Sequence, residues 1–135
     1  MNKDMLSDVV RLLRDNLSLI AVILFGSRAR KDWGPWSDYD LLIIADFQEK
    51  YLDRIGNILG ILKKIKIPIE PHPYTLEEAI SMLRNGNPII IDAIEEGKIL
   101  YASQKLEKLY EEYDKLKKRG LTRTHTTIII PTEPS

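Results

Sequence analysis

Gly26-Ser27-Arg28-Ala29-Arg30-Lys31-Asp32-Trp33-Gly34-Pro35-Trp36-Ser37-Asp38-Tyr39-Asp40 is the stretch on which the reading of this chain turns. Just before it, Leu19 to Phe25 is a continuous apolar run with branched side chains, the pattern of a strand buried on both faces. Gly26 lets the backbone turn sharply and approach a ligand closely. Arg28 to Asp32 then reads as a short polar turn of helix, and Gly34-Pro35 breaks the chain again. The free amides at the start of that helix, with the Ser27 hydroxyl, suit the oxygens of a phosphate. Arg28, Arg30 and Lys31 add positive charge beside them. A second strand is expected from Asp38 to Ala45, apolar on both faces at Leu41, Leu42, Ile43 and Ile44. Asp38 and Asp40 stand two apart at its head, where strand geometry points both to one face. Like charges that close are costly without a cation, and a phosphate cradle next to paired carboxylates follows the logic of two-metal phosphoryl chemistry.

Working outward, Asp4 to Asn16 has helical spacing at Met5, Val9, Leu12 and Leu13. Tyr51 to Ile65 returns to that period, with Leu52, Ile55, Leu59 and Leu62 expected as its buried stripe. Ile67 to Tyr74 reads as a third strand; Pro68 and Pro71 cannot donate to a ladder, which places it at a sheet edge. Thr75-Leu76-Glu77-Glu78 opens a helix with a capping box, running to about Arg84. A short helix is expected over Ile89 to Glu95, a fourth strand over Lys98 to Tyr101, and a charged helix over Ser103 to Lys118. Lys115, Lys117, Lys118, Arg119 and Arg123 read as a solvated basic cluster at the end of that helix. The segment Thr126 to Ile130 is too apolar to stay a bare edge, and is expected to join the sheet or pair with another chain. The reading is one domain over residues 1–121 followed by a β-prone tail over 122–135. Its fold class is α+β, a two-layer arrangement of a mixed sheet backed by helices.

Bulk properties narrow the function. The chain has 135 residues, no cysteine and two histidines, His72 and His125. Disulfides and thiolate metal sites are thereby excluded, and a metal would be a hard cation held by oxygen. Twenty basic residues balance twenty acidic ones, so no global field draws the protein to nucleic acid or membrane. The Leu19 to Phe25 run falls far short of the ~20 residues needed to span a bilayer. A cytoplasmic protein is expected. Each element of the central stretch has an ordinary explanation alone: Gly-Ser as a turn, Asp-x-Asp as a cap. Together their four fixed positions recur by accident in only about one chain in a thousand of this length.

Gly26-Ser27, ten residues, then Asp38-Tyr39-Asp40 and the apolar Leu41 to Ile44 resemble the signature of the minimal nucleotidyltransferases of the polymerase-β superfamily. The resemblance covers roughly residues 3 to 102. It implies an α-β-turn-β-α-β core with strand order 1-2-3, two Mg²⁺ ions, and ATP as donor of a nucleoside monophosphate. It assigns nucleotide binding to Gly26, Ser27, Arg28 and Arg30, and metal binding and catalysis to Asp38 and Asp40. The family's third acidic residue maps to Glu70, as a metal ligand or as general base toward the acceptor. Lys31 stands where members of the family commonly have Gly.

Two further groups lie near this site in sequence. Trp33 and Trp36 either stack on a base or pack their loop, and His72 reads as a surface histidine between two prolines. Stand-alone members of the family commonly pair with small helical HEPN-type proteins as toxin and antitoxin, and some adenylylate a tyrosine of the toxin. Such a partner, a toxin–antitoxin role and protein adenylylation are what the resemblance implies here. A binding-only antitoxin, a transferase for a small molecule or RNA end, and a homodimer are the alternatives.

Overall fold

Two neighbouring strands, β1 (Leu19–Phe25) and β2 (Tyr39–Ala45), run antiparallel through the centre of the molecule, with Phe25 opposite Asp40. The computed structural model describes residues 3–31, 34, 37–123 and 128–131. A third strand, β3 (Ile69–Tyr74), lies parallel to β2, and β4 (Lys98–Ala102) lies antiparallel to β1. The order β3-β2-β1-β4 makes a mixed sheet with β3 at one edge. That edge is where prolines are tolerated, because a missing N–H costs no ladder bond on the open side.

The continuous apolar runs are explained by what covers them. On one face, Val22, Leu24, Leu41 and Ile43 pack against Val9 and Leu13 of α1 (Lys3–Asn16) and Ile58 of α3 (Tyr51–Ile61). On the other, Ile23, Phe25, Leu42 and Ile44 meet helices α4 (Leu76–Arg84), α5 (Pro88–Glu96) and α6 (Glu107–Lys118). The expected α+β fold with helices backing a mixed sheet is borne out. Because helices cover both faces, the architecture has three layers rather than two. Each buried Leu or Ile contributes on the order of 1.5–3 kcal/mol, so β1 and β2 anchor the fold.

Local chemistry accounts for the helix starts. Thr75 Oγ1 accepts from the Glu78 amide at 3.1 Å, and the Glu78 carboxylate accepts from the Thr75 amide at 2.9 Å, completing the capping box of α4. Asn87 caps α5, with Pro88 in its first turn. A 3₁₀ turn, Gln104–Leu106, precedes α6.

Three expectations need correction. The inward face of α3 carries Arg54 and Ile58, whereas Leu52 and Leu59 are 78% and 47% exposed. Arg54 takes the inward place because its guanidinium finds partners there: the half-exposed Glu78 carboxylate at 2.6 and 3.1 Å, the Glu49 carbonyl at 2.8 Å and the buried Pro73 carbonyl at 3.3 Å. Among the described residues the tail does not join the main sheet; Thr126 and Thr127 of the expected strand lie outside those residues. Its β6 (Ile128–Ile129) pairs with β5 (Thr122–Arg123) of the same chain, and Ile128 packs on the α4–α6 side of the core. Arg123 is no solvated terminus either: it ion-pairs with Asp92 and with Glu95 at 3.2 Å, joining the ribbon to α5.

Candidate active site

β1 ends in a turn that only glycine fits. Gly26 has φ 76 and ψ −158, a region essentially closed to residues with a side chain. A Cβ placed there would lie 2.5 Å from Oδ2 of Asp40. The missing side chain therefore makes room for the Asp40 carboxylate against the turn. Directly after it, α2 (Ser27–Arg30) begins, its first turn closed by the Ala29 and Arg30 amides donating to the Gly26 carbonyl at 3.1 Å.

The register of the sheet assembles the rest. Asp40 lies opposite Phe25 on one side and beside Glu70 on the other, so three neighbouring strands contribute to one row. His72, two residues beyond Glu70, shares that face by strand alternation. Its Nε2 lies 3.2 Å from Asp40 Oδ1 and 3.5 Å from Glu70 Oε2. The imidazole sits edge-on to the Phe25 ring, centroids 5.0 Å apart. Ligand atoms of Asp40, Glu70 and His72 all fall within 4.8 Å of one another. Exposure grades from 12% at His72 through 27% at Asp40 to 55% at Glu70, so the cluster has a buried floor and an open mouth. Two carboxylates this close repel by roughly 1–3 kcal/mol for effective dielectric constants from about 80 down to 20. A cation between them would reverse that sign.

The profile of the nucleotidyltransferase domain family matches residues 6–122. The chain belongs to that family. A Methanocaldococcus jannaschii protein, named as a candidate protein adenylyltransferase, is 33% identical over 97 residues. The match takes in 70% of this chain and 66% of the relative, so the chain spans just under two thirds of that relative's length. Among solved structures, a chain of a toxin–antitoxin complex with AMP-PNP aligns with a TM-score of 0.53 at 20% identity, over 84% of this chain and 90% of that one. A chain of the Shewanella oneidensis complex between a tri-AMPylated HEPN toxin and MNT antitoxin gives 0.51 at 19%, over 87% and 91%. At such identities the likeness is one of fold.

Set against the expected site, this nucleotidyltransferase brings Gly26, Asp40 and Glu70 together, and adds His72. Asp38 is exposed, one residue before β2, and stands outside the three-residue cluster. The ladder therefore does not impose alternation on it. Arg28 spans the approach to β2: its Nε and Nη2 donate to the Ser37 carbonyl at 3.1 and 3.0 Å, and its guanidinium lies over the Tyr39 ring at 4.2 Å. Arg30 reaches Glu96 of α5 at 3.4 Å. Lys31 adopts the left-handed conformation, φ 65 and ψ 25, that the family's glycine would adopt without strain. Trp33 and Trp36 lie outside the described residues.

His72 is the member that sequence reasoning passed over, reading it as a surface residue. The signal was available, since Glu70 and His72 are two apart on an expected strand, the same spacing that paired Asp38 with Asp40. As a donor set, two carboxylates and an imidazole fit a divalent cation. Among the described residues no helix is long and apolar enough to cross a membrane.

Proposed function

We propose that this nucleotidyltransferase moves AMP from ATP onto a hydroxyl of a small HEPN-type partner protein, a tyrosine being the expected acceptor, and so acts as the antitoxin of a toxin–antitoxin pair in the cytoplasm. The observation that carries the transferase reading is the convergence of Asp40, Glu70 and His72 on one sheet face beside the Gly26 turn. The partner reading is supported by the likeness of fold to chains of toxin–antitoxin complexes.

In this reading Asp40 and Glu70, with Asp38 one residue before β2, would hold two Mg²⁺ ions. Such ions supply charge neutralisation at the attacking and leaving oxygens. The chain's own groups do the positioning. The Gly26-Ser27 turn receives the triphosphate, with Arg28 and Arg30 contributing positive charge beside it. Glu70, the most open of the clustered side chains, accepts the proton of the acceptor hydroxyl. The hydroxyl oxygen then bonds to the α-phosphorus, the bond from that phosphorus to the β-bridging oxygen breaks, and pyrophosphate leaves with the electron pair.

The test is transfer of label from ATP labelled at the α-phosphate to the protein encoded next to this one, with Mg²⁺ present. Label on that neighbour's tyrosine, lost with Asp40→Asn and with Asp38→Asn, is the expected result. Full activity of Asp40→Asn would overturn the site. Neutralisation of the partner that survives both substitutions would replace transfer by binding alone.

A further inference from the structure

We infer that His72 Nε2 is a direct ligand of the cation held by Asp40 and Glu70, and that this nitrogen biases the site toward Mn²⁺ and similar transition cations over Mg²⁺. The inference rests on the reading above that Asp40 and Glu70 bind a divalent cation.

Geometry is the first argument. Two atoms bound side by side to one ion at about 2.1–2.2 Å lie roughly 3.0–3.5 Å apart. His72 Nε2 stands 3.2 Å from Asp40 Oδ1 and 3.5 Å from Glu70 Oε2, the spacing of neighbouring corners of a coordination shell. The third pair, Asp40 with Glu70, also has its ligand atoms within 4.8 Å, so one ion can draw all three together.

The second argument is rigidity. The imidazole is only 12% exposed and packs edge-on against Phe25, itself 5% exposed. Its backbone is pinned by Pro71 and Pro73, both buried, whose rings fix φ on either side. A side chain so held presents its nitrogen to the cluster whether or not a cation is there, and ordering it on binding adds little entropic cost.

Chemistry supplies the third. Mg²⁺ prefers an octahedron of oxygens and is a poor partner for nitrogen, whereas imidazole suits the transition cations. The competing explanation is that His72 merely hydrogen-bonds to the Asp40 carboxylate, the 3.2 Å contact being of that length too. Under that explanation an entering cation would have to displace the imidazole, and removing His72 would strengthen cation binding or leave it unchanged.

The experiment uses the full chain and the metal alone. Mn²⁺ binding is followed by electron paramagnetic resonance, with Mg²⁺ as competitor, on wild type, His72→Gln, His72→Asn and Asp40→Asn. Circular dichroism checks that each variant folds. Expected are Mn²⁺ affinity at least about tenfold above that for Mg²⁺, and nitrogen coupling to bound Mn²⁺ in the pulsed spectrum. Both histidine variants should lose about tenfold or more in Mn²⁺ affinity while Mg²⁺ affinity changes by less than about twofold. The wild-type spectrum needs no variant, so the proposal stays testable if both histidine variants misfold. Mn²⁺ bound without nitrogen coupling, and lost in Asp40→Asn, would overturn the role of His72 while leaving the carboxylate site intact. Cation binding indifferent to Asp40→Asn would overturn both.

Discussion

Replacing Gly26 by alanine tests the site and the fold together. Two costs arise from one methyl group. The backbone at φ 76 and ψ −158 lies in a region that a residue with Cβ occupies only at about 1–3 kcal/mol. The new Cβ also lands 2.5 Å from Asp40 Oδ2 and 3.4 Å from its Cγ, so the carboxylate must retreat by roughly 0.7–1 Å. Together these give a loss of about 2–4 kcal/mol, read as a lower urea midpoint at unchanged slope. A reactive geometry displaced by about 1 Å costs on the order of a hundredfold in rate, so transfer should fall by that factor even where the variant is fully folded. The double variant Gly26→Ala with Asp40→Ala separates the two costs. It removes the clash and keeps the backbone strain, so its stability should exceed the sum of the single effects by about 1 kcal/mol or more. A Gly26→Ala protein within 0.5 kcal/mol of wild type and within about twofold in transfer would refute the claim that the turn is built around Asp40.

Lys31→Gly should stabilise the chain by about 0.5–1 kcal/mol, since it relieves a left-handed residue at the end of α2; chemical denaturation measures it, and a destabilised variant would show that the Lys31 side chain has another role. Glu78→Gln addresses pH. Hydrogen bonding to Arg54, then to Thr75, holds the Glu78 carboxyl below the usual glutamate range. A depressed folded value means the stabilisation is fully present above about pH 4.3 and fades as pH falls through the lower, folded value. Thermal melts from pH 7 to pH 3 should therefore show wild type losing its advantage over Glu78→Gln across that acidic window, with most of the advantage intact at pH 5. Because the Glu78 side chain is 44% exposed, the gain at neutral pH is expected to be modest, about 1 kcal/mol. A difference independent of pH would point to packing rather than charge.

What could be read from the chain divides by the range of the interactions involved. Leu19 to Phe25 and Leu41 to Ala45 announce themselves as doubly covered strands because every residue in the run must be apolar, and the capping box at Thr75 is a contact between residues three apart. The proline-bearing strand could be placed at an edge from its missing donors alone. Arg54 was invisible because it is buried by Glu78 and the Pro73 carbonyl, both distant in sequence, and periodicity instead favoured Leu52 and Leu59 for the interior. Arg123 misled in the same way, since Asp92 and Glu95 come to it only through the fold. Within the site, Gly26, Asp40 and Glu70 were legible from the motif and strand alternation. Asp38, expected to follow the same alternation, lies one residue before β2, and the three-residue cluster does not include it.

The prolines of β3 carry a consequence for how a partner can approach. The strand stays in register with β2 from Ile69 to Tyr74, so the amides that bond inward belong to Glu70, His72 and Tyr74. The outward-facing donors would then be those of Ile69, Pro71 and Pro73, and the last two have none. This edge therefore offers an incoming chain carbonyls with almost no N–H groups, and is a poor template for an extra strand. A protein docking beside the Asp40 cluster would find acceptors but few donors along this edge, which disfavours a β-extension of the sheet and favours contact through side chains.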